Sequence, residues 1–343
     1  YKYLHSEVKK PKSEAKNKVF VMFTPEMCNN AVISGGELYV KLFAGERDKG
    51  SFRYFNFQFG PDAEKSLAIG LEGSYISNKG NLIELDIEKK PDFPNLWKLV
   101  EYDLLYDIED YLGEMEYLFS KLKIDKKSKI IDTCVGPGFF IKELLNKGYD
   151  VSTMDENKDN VKPFLEDIKE LGINHKTTIC PWLDMKKHYK SNSFDFMLNR
   201  GNSFIFANGG LLEKIPVDKK KTLQAMKKTL KIYYDLLKKG GYLYIDKYRD
   251  SEVPSEKVVA KLKIKETKEE KNVVFNVERN PSGNYRYASI ILRDKQGDDS
   301  TVFNKVYDLT EDEMESLLKE VGFKVEKINL KSEKHFVVWL ARK

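Results

Sequence analysis

The chain has 343 residues, 41% of them apolar and 33% charged, enough for about two domains around a sizeable buried core. Its net charge of +5 balances 59 basic against 54 acidic side chains, with no compact Lys/Arg block interleaved with aromatics, which argues against a nucleic-acid partner. Cys28, Cys134 and Cys180 have no CxxC spacing, the four histidines make no i, i+4 pair, and no run of about 18 apolar residues occurs; the expectation is a cytoplasmic protein without disulfides, metal site, signal peptide or membrane span.

Residues 1–17 are polar and Lys-rich and read as a flexible tail. Residues 18–88 read as β-structure, with short aromatic or β-branched runs at 19–23, 37–43, 52–59, 66–69 and 82–87. In the third run Phe55, Phe57 and Phe59 alternate strictly, the period of a strand. The Pro-rich stretch 91–94 marks a boundary, giving an N-terminal β-rich domain over 1–95 and a second domain over 96–343.

Beyond 96, strand and helix signals alternate. Leu112, Met115, Leu118, Phe119 and Leu122 have helical spacing. Strands are expected at 130–131, 149–154, 177–180, 194–198 and 242–245, and helices at 140–146, 158–171 and 219–238, the last stopped by Gly240 and Gly241. This rhythm predicts an α/β fold with a doubly wound parallel sheet. Residues 252–308 break it with four consecutive strand patterns, an antiparallel insert. A helix over 310–321, N-capped by Thr310 with Glu313 three residues on, and strands at 323–330 and 335–341 close the chain.

The strongest chemical signal is the segment from Lys129 to Gly138. A strand end carries Asp132, and Gly136-Pro137-Gly138 then opens a helix. Glycines at the carboxyl end of a parallel strand let a ligand approach the backbone. Asp155, 19 positions after Gly136, ends the next strand, where an acid binds ribose hydroxyls. No third glycine follows at dinucleotide spacing, and no Lys-Ser/Thr pair follows as in a phosphate-binding loop.

Asp132 to Gly138 resembles motif I of class I methyltransferases, with Cys134 at the family's first glycine. The segment 101–111 is similar to the N-terminal cover of small-molecule methyltransferases, amino-sugar N-methyltransferases among them. The segment 194–204, ending Arg200-Gly-Asn-Ser-Phe204, resembles the glycine and sarcosine N-methyltransferases, as does 245–250, although Pro181 replaces an Asn and Arg249 falls one position late.

The resemblance covers about 100–343 and implies a Rossmann-like methyltransferase sheet. It implies that S-adenosylmethionine is held by Asp132, Cys134, Gly136, Gly138, Asp155, Trp182, Leu183 and Arg200. The acceptor would be met by Tyr106, Asn202 and Arg249, the last gripping an anionic group. Each has a plainer role open to it: helix cap for Asp155, turn residue for Asn202, surface ion pair for Arg249, core packing for Trp182 and Tyr106. The resemblance implies methyl transfer to a small amine or amino acid. An amino sugar, a hydroxyl or an RNA base, or a non-catalytic cofactor-binding regulator, are alternatives. It leaves a homo-oligomer open.

Overall fold

The computed structural model describes residues 83–208, 218–250, 255–280, 285–294 and 298–343, together with three earlier strands, β1 (Ile33–Ser34), β2 (Glu37–Gly45) and β3 (Phe52–Phe59). The strand runs expected at 19–23 and 66–69 lie outside the described residues. The chain divides into two units, Tyr1–Ile76 with Lys257–Val259, and Ser77–Glu256 with Ala260–Lys343. In the first, β1, β2 and β3 form an antiparallel three-stranded sheet whose register sets Phe55, Phe57 and Phe59 opposite Leu42, Val40 and Leu38.

The second unit begins with β4 (Ile83–Ile87) and helix α1 (Phe93–Leu99). The boundary expected at 95 therefore falls inside this unit. The 91–94 stretch starts a helix: Asp92 caps it by accepting from the Asn95 amide, and Pro94 sits in the first turn, where its missing N–H costs nothing. One wide π-helical turn, Val100–Leu105, follows α1 directly. Helix α2 (Ile108–Leu122) is then capped by the Asp107 carboxylate and stopped by Lys123 in the left-handed region.

Strand and helix alternate next: β5 (Lys129–Asp132), α3 (Ile141–Asn146), β6 (Asp150–Asp155), α4 (Lys162–Glu170), β7 (Thr177–Ile179), β8 (Phe194–Asn199), α5 (Lys219–Leu236) and β9 (Leu237–Tyr248). Strand β9 starts five residues before the expected Tyr242. Gly240 and Gly241 do not end a helix; they lie in a bulge of β9, where the register against β8 jumps from Leu237 to Tyr242. Positive φ at Gly240 and carbonyl oxygens about 3 Å from where a Gly241 side chain would sit explain the pair.

The insert supplies β10 (Ser255–Ile264), β11 (Glu269–Asn280), β12 (Tyr285–Arg293) and β13 (Asp298–Tyr307). It forms a five-stranded sheet in the order β13-β12-β11-β10-β4. Its edge strand β4, expected within the N-terminal region, pairs parallel to β10, from Ile83 opposite Ala260 to Ile87 opposite Ile264. The chain closes with α6 (Glu311–Val321), β14 (Lys324–Ile328) and β15 (Phe336–Arg342); Thr310 and Glu313 form the expected capping box.

The central sheet has seven strands in the order β14-β15-β9-β8-β5-β6-β7, with β15 antiparallel to both neighbours and the rest parallel. Helices pack on both faces, so the inner strands are largely buried, most completely β8 and β15, while the edge strand β14 is mostly exposed. Phe196, Leu198 and Tyr244 join the core formed with α2, α3 and α4; Met197, Leu243, Ile245 and Trp339 join the one formed with α5 and α6. From β5 the chain runs outward to β6 and β7, then returns past β5 to β8. The carboxyl ends of β5 and β8 thus form the switch point, the position where such sheets take ligands.

Candidate active site

Asp132 ends β5 and accepts the Cys134 amide at 2.8 Å, folding the following loop back on itself. Burial raises its carboxyl to about 7, against the pull of the Cys134 N–H and of Arg200. The switch point is stitched by Thr133, whose amide and hydroxyl both donate to the Leu198 carbonyl, and by Asn199, which donates to Thr133 Oγ1 and to the Tyr233 hydroxyl.

The two glycines of the loop have different roles. Gly138 has φ +85°, and a side chain there would stand 2.1 Å from the Phe164 ring, so packing requires it. Gly136 has φ +47°, and a side chain there would meet nothing nearer than the Cys134 carbonyl at 3.9 Å. Its outward face is open, the space a ligand's approach needs.

The Gly136 amide donates to Asp155 Oδ2 at 3.0 Å, and Asn157 donates to Oδ1 at 2.9 Å. Asp155 thus binds the glycine loop and its own turn together, with burial raising its carboxyl to about 6. It stands at the end of β6 and is not the N-cap of α4, which is Val161. Trp182 donates its indole N–H to the Thr133 carbonyl at 2.6 Å, and its ring lies near Phe204 and Tyr233. Leu183 beside it is 49% exposed, an apolar side chain open to solvent.

The π-helical turn covers the loop. Tyr102 donates to the Gly138 carbonyl at 3.1 Å, and Glu101 accepts from Arg200 Nη1 at 3.1 Å. Tyr106, just past the turn, is buried; its hydroxyl donates to Glu333 Oε2 at 2.9 Å, and Tyr244 donates to Oε1 of the same carboxylate at 2.8 Å. Burial and the Glu333 charge push both phenols well above their usual value, so they remain protonated donors.

Asn202 lies in the left-handed region after β8. Its amide donates to Asp246 Oδ1 at 2.7 Å, the Gly201 amide donates to Oδ2 at 2.9 Å, and the Asn202 side-chain oxygen accepts from the Tyr248 amide at 3.3 Å. The side chain builds the turn. Burial, with the nearby Glu333 charge, raises the Asp246 carboxyl. Arg249, expected to grip an anionic group beside Asn202, is turned instead to the carbonyls of Lys334 at 3.2 Å and Glu333 at 3.4 Å. One residue's offset along an extended segment reverses the face a side chain occupies.

Tyr106, Arg200, Asp246 and Asn202 therefore gather at one end of the sheet, beside Asp132, Gly136 and Asp155, while Arg249 serves the loop before β15. Sequence reasoning missed Glu101, Glu333 and Tyr244. Glu333 sits in a polar loop, 227 residues from the Tyr106 it binds, and nothing local marks it. Among the described residues no helix is long and apolar enough to cross a membrane.

The "Glycine/sarcosine N-methyltransferase" of Aphanothece halophytica is 24% identical over 136 residues, 39% of this chain and 45% of that protein. The chain spans less than half the length of the curated relatives it matches. An S-adenosylmethionine-dependent methyltransferase from Clostridium acetobutylicum ATCC 824 is similar in structure at 14% identity, covering 73% of this chain and 97% of that one with a TM-score of 0.53. The S-adenosylmethionine-bound amino pentose methyltransferase CalS10 from Micromonospora echinaspora is similar at 10% identity, covering 75% and 100%, with a TM-score of 0.52. At such identities the likeness is one of fold, the Rossmann-like fold of these methyltransferases. A family model described as "Methyltransferase domain" matches residues 124–322, more than half of the sequence, and the chain belongs to that family.

Proposed function

We propose that the protein transfers a methyl group from S-adenosylmethionine to a small-molecule acceptor, with an amine nitrogen as nucleophile. The observation that carries the reading is the Gly136–Asp155 pair: an open glycine face hydrogen-bonded to a buried carboxylate at the end of the neighbouring strand. That arrangement fits an adenosine ligand. Asp155 would accept its ribose hydroxyls, Trp182 and Leu183 would flank its base, and the loop from Asp132 through Cys134 to Gly138 would run beneath its tail. The choice of nitrogen follows the name of the glycine/sarcosine relative.

When bound, the cofactor supplies a methyl group already activated by its sulfonium. The protein then has only to align the reactants and exclude water, which can contribute roughly 7–11 kcal/mol. Tyr106 suits this role because its hydroxyl proton is committed to Glu333, which leaves the oxygen's lone pairs to accept an N–H from an incoming amine. The Asp246 carboxylate fixes the backbone of Gly201 and Asn202 at the end of β8.

Calorimetric titration of the full chain with S-adenosylhomocysteine tests the reading. Saturable binding is expected; no heat and no thermal shift at millimolar ligand would overturn it.

A further inference from the structure

Arg200 leaves the end of β8 and is only 6% exposed. Its guanidinium lies within reach of four rings, 4.5 Å from the Phe139 centroid, 5.3 Å from Tyr106, 5.5 Å from Tyr111 and 5.9 Å from Phe140. Nη1 is taken by Glu101. Nε and Nη2 find no hydrogen-bond partner among the described residues, although both are buried. In a planar guanidinium these two nitrogens form one edge, with parallel N–H bonds spaced to fit the two oxygens of a carboxylate.

The neighbouring acids are committed elsewhere. Asp246 holds the Gly201 and Asn202 amides, Glu333 holds the Tyr106 and Tyr244 hydroxyls, and Asp132 Oδ1 holds the Cys134 amide. Burying a guanidinium with an empty edge is costly, and a Met or Leu would fill the aromatic box more cheaply if only packing were needed.

Resting on the methyltransferase reading, we propose that the free Nε–Nη2 edge of Arg200 is a carboxylate receptor of the active site. It takes either the carboxylate of the cofactor's methionyl tail or that of an amino-acid acceptor. The anionic-group role expected of Arg249 thus passes to a residue on the neighbouring strand end.

The test titrates wild type and Arg200→Gln with S-adenosylhomocysteine and with 5′-methylthioadenosine, which keeps the nucleoside thioether but lacks the amino-acid tail. With S-adenosylhomocysteine present, a panel of α-amino acids is compared with the corresponding decarboxylated amines. Loss of S-adenosylhomocysteine affinity by roughly tenfold to a hundredfold, with methylthioadenosine unchanged, supports the proposal and assigns the edge to the cofactor. The same loss confined to the amino acids supports it and assigns the edge to the acceptor. If every ligand keeps its affinity in the variant, or all weaken alike, the proposal is overturned. Should Arg200→Gln not fold, wild type alone decides: equal affinity within both ligand pairs overturns the proposal, and a carboxylate preference in either supports it. If wild type binds neither nucleoside, the methyltransferase reading itself fails and this proposal falls with it.

Discussion

Tyr106 and Glu333, 227 positions apart, meet in a buried hydrogen bond of 2.9 Å, and Glu333 binds Tyr244 with its other oxygen. Glu333→Ala would take the carboxylate acceptor from two buried hydroxyls and leave Tyr244 only the Tyr111 hydroxyl at 3.4 Å. At about 1–3 kcal/mol for a fully unsatisfied group, and less for Tyr244, the variant should unfold at lower urea with a loss of about 1–5 kcal/mol. Glu333→Gln, which keeps an acceptor and a donor in the same place, should recover much of that. If Glu333→Ala is as stable as the parent, the carboxylate does not organise this end of the sheet.

The loop glycines should separate folding from binding. Gly138→Ala forces a methyl group into the Phe164 ring, so it should cost about 1–3 kcal/mol by overpacking and lower the melting temperature. Gly136→Val meets only backbone strain, about 1–2 kcal/mol, because its outward face is open. It should fold, and S-adenosylhomocysteine binding by calorimetry should be abolished. Retained binding in Gly136→Val would remove the ligand from that face.

Asp155 gives the binding a pH dependence with a definite sign. Its ionised form accepts hydrogen bonds, and its carboxyl is raised to about 6 by burial. Affinity for S-adenosylhomocysteine should therefore weaken as pH falls from 8 through about 6, and Asp155→Asn should flatten the profile. Asp155→Ala should weaken binding by about 1.5–3 kcal/mol at neutral pH.

The same burial governs the stability of the ligand-free chain. Asp132 at about 7 and Asp155 at about 6, against 3.8 for an ordinary aspartate, hold protons in the folded state that the unfolded chain has released. Unfolding free energy from these groups thus falls as pH rises from about 4 to about 7. Chemical denaturation at pH 5 and pH 8 should show the difference, and Asp132→Asn should reduce it. A stability that climbs across this window would mean these carboxyls are ionised throughout.

What the sequence disclosed and what it hid divide along contact range. The strand-turn-helix around Gly136 and its spacing to Asp155 are local pattern; the hydrogen bond that joins the two is not part of it. The Thr310–Glu313 box is equally local. The partners of Arg200 and Tyr106 are not: Glu101 and Glu333 come from segments 99 and 227 residues away, joined to the site only by the order of strands in the sheet. The edge strand β4 was legible as a strand, but its pairing with β10 depends on tertiary placement that local periodicity does not encode. Arg249 shows the same limit at close quarters, since resemblance fixed the neighbourhood and a single residue of register decided the direction.

Arg249 now carries a different expectation. Its amide donates to the His335 carbonyl, and its guanidinium donates to the carbonyls of Lys334 and Glu333. Glu114 of α2 holds the same loop from the other side, accepting the amides of Lys331 and Ser332 at 2.8 and 2.9 Å. Together they fix the segment that delivers Glu333 to the two tyrosines. Arg249→Ala removes two long, partly exposed hydrogen bonds, so stability should fall by only about 1 kcal/mol. Because the guanidinium is engaged with the loop carbonyls, the variant should retain the parent KM for an acceptor, whether or not the acceptor carries a carboxylate. Arg200→Gln should behave in the opposite way toward a carboxylate ligand. Lost uniform binding raises KM with kcat spared, so steady-state kinetics on the two variants distinguish a loop anchor from a ligand partner. A rise in KM specific to anionic acceptors in Arg249→Ala would return the receptor role to the end of β9.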